Sequence, residues 1–333
     1  MPALEMNMGG ALPPLTAHTA LSTWQVAGAV DVLAVLAALA YLHRAHRVLP
    51  KAGQHWPAGR TIAFLGSLVV AVLTLSSSID VYSDELFYLH MIEHLLLIMV
   101  VPVLFMLGRP LALLTTGEDR TSMLAGGALG TRTVSVLTFP PLGLALYAIV
   151  LIGTHLTGFM QLMLTHMWLH NVEVALYLIS GYLFLVPLLG DEPLRRVLSY
   201  PLRVFLLMIG MTVDTVVGVV LMLTAREPFP AYAADHRTWG PSLITDIHTG
   251  GGIMWVIGDG LMFLIIVLLV KRWMADTERQ NDTGKWLESA RRSSMVNLGV
   301  DSVDPDDESD IDDDDAALDA YNRMLSRLND RDH

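Results

Sequence analysis

Residues 86–107 read LFYLHMIEHLLLIMVVPVLFML, and this stretch decides the fold of the chain. Apart from His90, Glu93 and His94 it is almost entirely apolar. An α-helix rises about 1.5 Å per residue, so about 20 residues are needed to cross the roughly 30 Å of hydrocarbon in a bilayer. The stretch is therefore predicted to be a transmembrane helix that carries three ionisable side chains near its start.

The same apolar pattern recurs along the rest of the chain. Of the 333 residues, 53% are hydrophobic and only 16% are charged, whereas soluble domains carry about 25% charged residues. These proportions exclude an ordinary soluble domain and predict an all-α fold, a polytopic membrane helix bundle of about seven transmembrane helices. The predicted spans are Trp24–Leu42, Thr61–Ser77, Leu86–Leu107, Val134–Thr154, Met163–Leu189, Leu202–Thr224 and Gly250–Val270.

The basic residues are distributed unevenly between the loops. They are concentrated in alternate loops, within residues 44–60, 109–132 and 195–203, and Lys and Arg also follow the last span. Because cytoplasmic loops carry an excess of Lys and Arg, we predict that the N-terminus is outside and the C-terminus is in the cytosol. Residues 1–23 are then an external segment, and residues 24–275 form the transmembrane domain.

The chain becomes polar and acidic after the last span. Asp301–Asp315 contains ten acids and no base, which accounts for most of the net charge of −12. Such a composition buries too little apolar surface to fold alone, so residues 276–315 are expected to be a disordered acidic tail. Residues 316–333 are expected to form a short amphipathic helix, because apolar residues recur there at helical spacing. These are Leu318, Tyr321, Leu325 and Leu328.

Two histidine pairs are predicted at the outer ends of spans. His90 and His94 lie four residues apart in the third span, and His166 and His170 lie four apart at the start of the fifth. Residues four apart share one face of a helix. His155 ends the fourth span on the same side of the membrane. Ionisable groups at membrane depth are costly and usually functional, so these five imidazoles indicate a metal site.

The surrounding residues suggest which metal would bind. The chain has no cysteine, so thiolate ligands are excluded. Cu(I) held by imidazole and thioether groups is the soft-metal chemistry that remains. Side chains close to the histidines in sequence or in predicted depth are candidates for supporting roles. They are Glu93, Glu173, Met91, Met163, Met167, Asp246 and His248.

Other interpretations of these polar residues remain open. The histidines could hydrogen-bond between helices, form a proton relay, or bind a b-type haem with one imidazole from each of two helices. His90–His94 also matches the H-x-x-E-H zinc protease pattern, although five residues match readily by chance. Asp214 and Asp259 lie near the middles of the sixth and seventh spans. They are either neutral acids hydrogen-bonded at helix contacts or parts of a transport or relay path.

Several motifs are distinctive when they are taken as a set. They are Tyr88–His94 with Val101–Pro102 and Leu107–Pro110, Leu169–Glu173 with Pro187–Gly190, Asp246 with Gly251–Asp259, and Tyr321–Asn322 with Leu325. In these motifs the chain resembles the multi-span CtaG family of cytochrome c oxidase assembly factors, over roughly residues 24–275 and the tail. The single-span copper chaperone that shares the CtaG name differs, because its cysteine ligands have no counterpart here. In some actinobacterial relatives the module is fused to a CopD-type copper-uptake domain, which this sequence does not contain.

The resemblance implies a role in maturing a haem–copper oxidase. We expect a multi-pass protein of a bacterial plasma membrane, not an enzyme, that binds copper at its outer face and delivers it to the oxidase. Its expected partners are oxidase subunits, membrane lipid and an external copper donor, with no nucleic acid. The alternatives are a haem-binding membrane cytochrome and a copper or proton transporter.

Overall fold

The computed structural model describes ten stretches of the chain and divides it into two compact units, residues 1–266 and 267–333. Every regular element within the described stretches is helical. The described residues are 12–26, 28–50, 55–115, 132–189, 198–230, 232, 237–297, 318–319, 321–323 and 326.

The helices follow the apolar runs of the sequence. The N-terminal half contains α1 (Ala17–Ser22), α2 (Ala29–His43), α3 (Ala58–Ser76), α4 (Ser78–Ser83), α5 (Phe87–Leu95), α6 (Val101–Leu107) and α7 (Pro110–Thr115). The C-terminal half contains α8 (Arg132–Leu137), α9 (Pro140–His155), α10 (Phe159–Met163), α11 (Met167–Leu189), α12 (Tyr200–Leu223) and α13 (Leu243–Asn297). Single π-helical turns, Arg44–Val48 and Leu96–Val100, follow α2 and α5.

The polytopic membrane fold predicted from the sequence is confirmed. Among the described residues, six helical stretches are long and apolar enough to cross a membrane. The predicted fourth span differs from the others, because its apolar helix α9 has only 16 residues. A proline pair opens α9 at Pro140, and prolines favour the first turn of a helix. The predicted span therefore divides into the short helix α8 and the helix α9.

Two predicted helix limits are wrong. The fifth span was expected to start at Met163, but α10 ends there and α11 starts at Met167. The tail was expected to be disordered from residue 276, but α13 continues to Asn297. An ion pair between Arg279 and Asp276, three residues apart, supports this extension by a few tenths of a kcal/mol at most. Residues 298–317 and most of the predicted C-terminal helix lie outside the described residues.

The stretch Phe87–Leu114 forms the centre of the first unit. In its most apolar window 61% of the residues are buried, against 11% for the stretch Ala29–Val48 that contains α2. Apart from His43, the exposed side chains of α2 are aliphatic, which fits a helix that faces lipid. The stretch that carries His90 and His94 is therefore enclosed by protein.

Close backbone contact sets α11 against this central stretch. Gly181 of α11 lies so near the carbonyl of Ile98 that a Cβ on Gly181 would overlap it. Ile98 belongs to the π-helical turn, which precedes Pro102. Proline has no N–H to donate and interrupts a regular α-helical ladder. This contact holds the π-helical turn close against the middle of α11.

Candidate metal centre

The start of α5 is fixed by a side chain from α13. Leu86 supplies no side-chain cap to this helix. The Asp246 carboxylate accepts hydrogen bonds from the backbone N–H groups of Phe87, at 3.1 Å, and Tyr88, at 3.0 Å. Arg237 Nη2 also donates to Asp246, at 3.3 Å. Asp246 therefore caps α5, and negative charge is favourable at a helix N-terminus.

A buried group of two imidazoles and one carboxylate lies one turn further along α5. We call His90, His94 and Glu173 the inner group. Glu173 Oε2 lies 3.6 Å from His90 Nε2, and Glu173 Oε1 lies 3.5 Å from His94 Nε2. The two histidine rings touch, with their centroids 4.0 Å apart. All three side chains are almost fully excluded from solvent.

The spacing within the inner group fits metal ligands better than hydrogen bonds. Its nitrogen–oxygen separations exceed the roughly 2.7–3.2 Å of a hydrogen bond. A tetrahedral ion with bonds of about 2.1 Å holds neighbouring ligand atoms about 3.4 Å apart. Both oxygens of Glu173 and the Nε2 atoms of His90 and His94 lack a hydrogen-bond partner among the described residues. Orphaned buried polar atoms are rare, and an ion is one explanation for them.

His155 supports the inner group from the opposite side of His94. Its Nε2 lies 3.3 Å from His94 Nδ1, and its Nδ1 lies 2.9 Å from the carbonyl of Leu151. If Nδ1 of His155 donates to that carbonyl, its Nε2 accepts from His94 Nδ1–H. This assignment leaves the lone pair of His94 Nε2 free to face Glu173, as in metal-bound histidines that donate their other N–H. The ring of Tyr177 stacks on His94 at 3.9 Å.

A second group, which we call the outer group, lies beside the first and consists of Asp80, Glu93 and His170. His170 Nε2 lies 3.4 Å from Asp80 Oδ1 and 3.6 Å from Glu93 Oε1. The His170 side chain is 20% exposed and that of Asp80 is 11% exposed, whereas Glu93 is buried. The outer group is therefore the more accessible of the two.

The structure separates His166 from His170, so the prediction that they form a pair on one helical face is wrong. His166 precedes α11 and is exposed. Its Nδ1 lies 3.1 Å from the carbonyl of Leu162 and 2.9 Å from Thr165 Oγ1. These contacts provide hydrogen-bond partners within the turn that joins α10 to α11.

The remaining predicted accessory residues have diverse positions. Met91 and Met163 are buried hydrophobic residues. The Met167 side chain is not among those that the structure describes. His248 Nε2 lies 2.9 Å from the carbonyl oxygen of Thr224, so this side chain of α13 contacts the backbone at the end of α12. These positions give Met91, Met163 and His248 ordinary structural explanations.

The deep acids Asp214 and Asp259 form a separate polar region between α12 and α13. Asp259 Oδ2 accepts a hydrogen bond from Thr215 Oγ1 at 2.6 Å. Asp214 is buried and has Asp259 and the Tyr147 hydroxyl as its electrostatic neighbours. A Cβ on Gly258 would come within 2.6 Å of Asp214 Oδ2, so the glycine makes room for the carboxyl group.

Sequence reasoning found the two histidines of the inner group but gave the neighbouring acids a different role. Glu93 and Glu173 were expected in supporting roles, whereas the structure places a carboxylate oxygen of each acid 3.6 Å from an imidazole nitrogen. Asp80 was not singled out. It lies on α4 and has no helical spacing to any histidine. Its one sequence signal is its place ten residues before His90, just ahead of a membrane helix.

Comparison with known protein families gives a match that covers most of the chain. The family model described as cytochrome c oxidase caa3 assembly factor matches residues 37–276. The matched region contains both the inner and the outer group.

Curated relatives come from mycobacteria and are themselves uncharacterised. The chain is 29% identical over 340 residues to proteins of Mycobacterium bovis and Mycobacterium tuberculosis, and 27% identical over 338 residues to one of Mycobacterium leprae. Each alignment covers 98% of this chain and 48% of the relative. The chain thus spans about half the length of these relatives. No solved structure matches it.

Proposed function

Because the chain belongs to the family of cytochrome c oxidase caa3 assembly factors, we propose that it supplies copper to a haem–copper oxidase during assembly. In this proposal the inner group holds one copper ion and an oxidase subunit receives it. The protein works in the plasma membrane of a bacterium, takes the ion from an external donor, and catalyses no reaction of its own.

The observation that carries the proposal is the geometry of the inner group. Two imidazole nitrogens and a carboxylate converge at ligand-like separations of 3.5–3.6 Å, without hydrogen-bond partners among the described residues. A buried carboxylate is costly unless a cation or hydrogen bonds compensate it. A copper ion between His90, His94 and Glu173 would satisfy all three side chains.

The donor set also bears on the oxidation state of the metal. Cu(I) was expected from imidazole and thioether ligands, but the inner group combines imidazole with carboxylate. Carboxylate is a hard ligand, and imidazole suits Cu(II) well. Cu(II) is therefore the better match for these three residues, and it binds N and O sites more strongly than the other divalent first-row metals.

Three ligands from the protein leave room for a further one. Metal sites that exchange ligands or bind substrate typically keep a position open, whereas structural sites are closed by four protein ligands. An incoming histidine or carboxylate of an oxidase subunit can occupy that position before the ion leaves. The three-ligand inner group thus supports a holding and transfer role.

The haem alternative is less compatible with this arrangement. A bis-histidine haem needs two imidazoles on opposite faces of a flat macrocycle. His90 and His94 instead touch each other on one helix. Glu93 lies between His90 of α5 and His170 of α11.

The test is copper retention by the detergent-purified protein combined with oxidase activity of the cells. After dialysis against a weak chelator, His90→Ala and His94→Ala should each retain one copper ion fewer than the wild type. Cells with either variant should assemble an oxidase with less copper and lower activity. His166→Ala is the matched control, because this exposed histidine lies outside both groups, and it should behave as wild type.

Membrane abundance of each variant must equal wild type for the comparison to hold. Wild-type copper content and oxidase activity in both His90→Ala and His94→Ala would overturn the proposal. A haem absorption spectrum in the purified wild type, with no copper, would favour the cytochrome alternative.

A further inference from the structure

The outer group has the features of a metal site that the proposed copper site does not use. Asp80, Glu93 and His170 come from three different helices, α4, α5 and α11, and each offers one ligand atom within 4.8 Å of the others. His170 Nε2 lies 3.4 Å from Asp80 Oδ1 and 3.6 Å from Glu93 Oε1. These distances are close to the roughly 3.4 Å that separates neighbouring ligand atoms around a tetrahedral ion.

Glu93 supplies an independent sign of a missing ligand. Its side chain is only 1% exposed, and neither carboxylate oxygen has a hydrogen-bond partner among the described residues. Two histidine nitrogens, at 3.6 Å and 4.0 Å, provide only weak compensation for this buried carboxylate, whose charge is costly to bury without a close counter-ion. A divalent cation bound by Glu93 would remove most of this penalty.

Glu93 also faces both groups. Its Oε1 lies 3.6 Å from His170 Nε2 in the outer group, and its Oε2 lies 4.0 Å from His90 Nδ1 in the inner group. The ring centroids of His90 and His170 are 6.5 Å apart. One carboxylate thus stands between two neighbouring sets of ligands.

We propose that Asp80, Glu93 and His170 form a second site for a divalent first-row cation, next to the inner group. Two carboxylates and one imidazole make it a harder donor set than the two imidazoles and one carboxylate of the inner group, so Zn²⁺ and Cu²⁺ both suit it. The proposal adds a site and does not depend on whether the inner group serves an oxidase.

The two sites differ in solvent access, which sets the order in which an arriving cation reaches them. Asp80 and His170 are partly exposed, whereas His90 and His94 are buried. A cation that arrives from solvent meets the outer group first, and Glu93 can then pass it toward His90. The side chain of Gln25 also donates to Asp80, which ties the segment before α2 to this outer site.

The experiment is copper counting with electron paramagnetic resonance on the full-length protein in detergent, loaded with CuSO₄. The wild type should bind two Cu²⁺ ions, and their proximity should give a spin-coupled spectrum. Asp80→Asn keeps the size of the side chain and should bind one ion, with the spectrum of an isolated Cu²⁺. His94→Ala should also bind one isolated ion, retained in the outer group.

Glu227→Gln is the matched control, because it removes an exposed carboxylate that belongs to neither group. It should keep two coupled ions. Loading with ZnSO₄ should give the same counts and exclude an effect specific to copper. A symmetric gel-filtration peak and an unchanged melting temperature without metal show that each variant is folded.

Each result decides between the two sites. One ion in both wild type and Asp80→Asn, lost in His94→Ala, would overturn the second site and leave the proposed copper site standing. One ion that survives in His94→Ala but is lost in Asp80→Asn would support the outer site and contradict the inner one. Two uncoupled ions in the wild type would place the second ion elsewhere and overturn the proposal.

Discussion

Two pairs of buried acids lie in this bundle, and their neighbours differ. Glu93 and Glu173 each face imidazole nitrogens at 3.5–3.6 Å. Asp214 and Asp259 instead have a tyrosine, a threonine hydroxyl and each other as described neighbours. The first pair can share a cation with its histidines, whereas the second pair has no nitrogen ligand among these neighbours.

The difference separates two ways of keeping an acid inside a membrane protein. An acid beside imidazoles can remain a carboxylate if an ion binds there, since the ion compensates the buried charge. An acid beside hydroxyls and another acid is best accommodated as a neutral hydrogen-bonded group. Membrane depth alone therefore does not identify a functional acid, and the neighbouring side chains decide its role.

The largest effect is expected from removing the central acid of the first pair. Glu173→Gln preserves the shape of the side chain but replaces a charged ligand with a weak neutral one. Affinity for Cu²⁺ should fall by about 100-fold or more, since even residues that only orient ligands contribute about 10–100-fold. Isothermal titration against a competing chelator measures the change. Unaltered affinity would show that the two pairs of acids do not differ in metal binding.

A smaller effect is expected from separating the helices that hold the first pair. Gly181→Ala places a methyl group against the carbonyl of Ile98, so the contact between the π-helical turn and α11 must open, at a cost of about 1–3 kcal/mol. Thermal unfolding in detergent should show the loss, and copper affinity should fall with it. Gly153→Ala is the matched control, because a Cβ there meets nothing within 4 Å. Equal melting temperatures of the two variants would contradict the close contact.

The smallest effect is expected at the second pair. Asp214→Asn removes an ionisable group and keeps a polar side chain of the same size, so we expect a change in unfolding free energy of less than about 1 kcal/mol. Copper affinity should match wild type, because the acid lies outside both metal groups. Measuring affinity and melting temperature on one preparation checks both statements. A loss of copper affinity comparable to that of Glu173→Gln would show that both regions take part in copper binding.

The sequence was sufficient for the approximate positions of six spans and for the face of α5, because both follow from local sequence patterns. Hydropathy identifies residues 86–107 as a helix, and four-residue spacing puts His90 and His94 together. The same rule failed for His166 and His170, since it requires one continuous helix and α11 begins only at Met167. Thr165 and His166 instead lie in a turn before α11, where Thr165 Oγ1 is within hydrogen-bond distance of His166 Nδ1.

Contacts between distant segments were the part that the sequence could not supply. Asp80 meets His170 across ninety residues, and Asp246 caps α5 from well over a hundred residues away. Neither pairing leaves a spacing pattern in one sequence. Gly181 is similar, because a glycine in an apolar helix does not reveal which backbone it approaches.

The π-helical turn at Leu96–Val100 has a consequence for how this protein can change length over evolution. A π turn accommodates one residue more than the α-helix it interrupts. Deleting one residue there can restore a regular helix while the flanking α5 and α6 keep their original orientations. The same deletion within α5 would rotate the residues on one side of it by about 100° relative to the other, which would split His90 from His94. Single-residue gaps among relatives should therefore fall in this turn and spare the histidine helix.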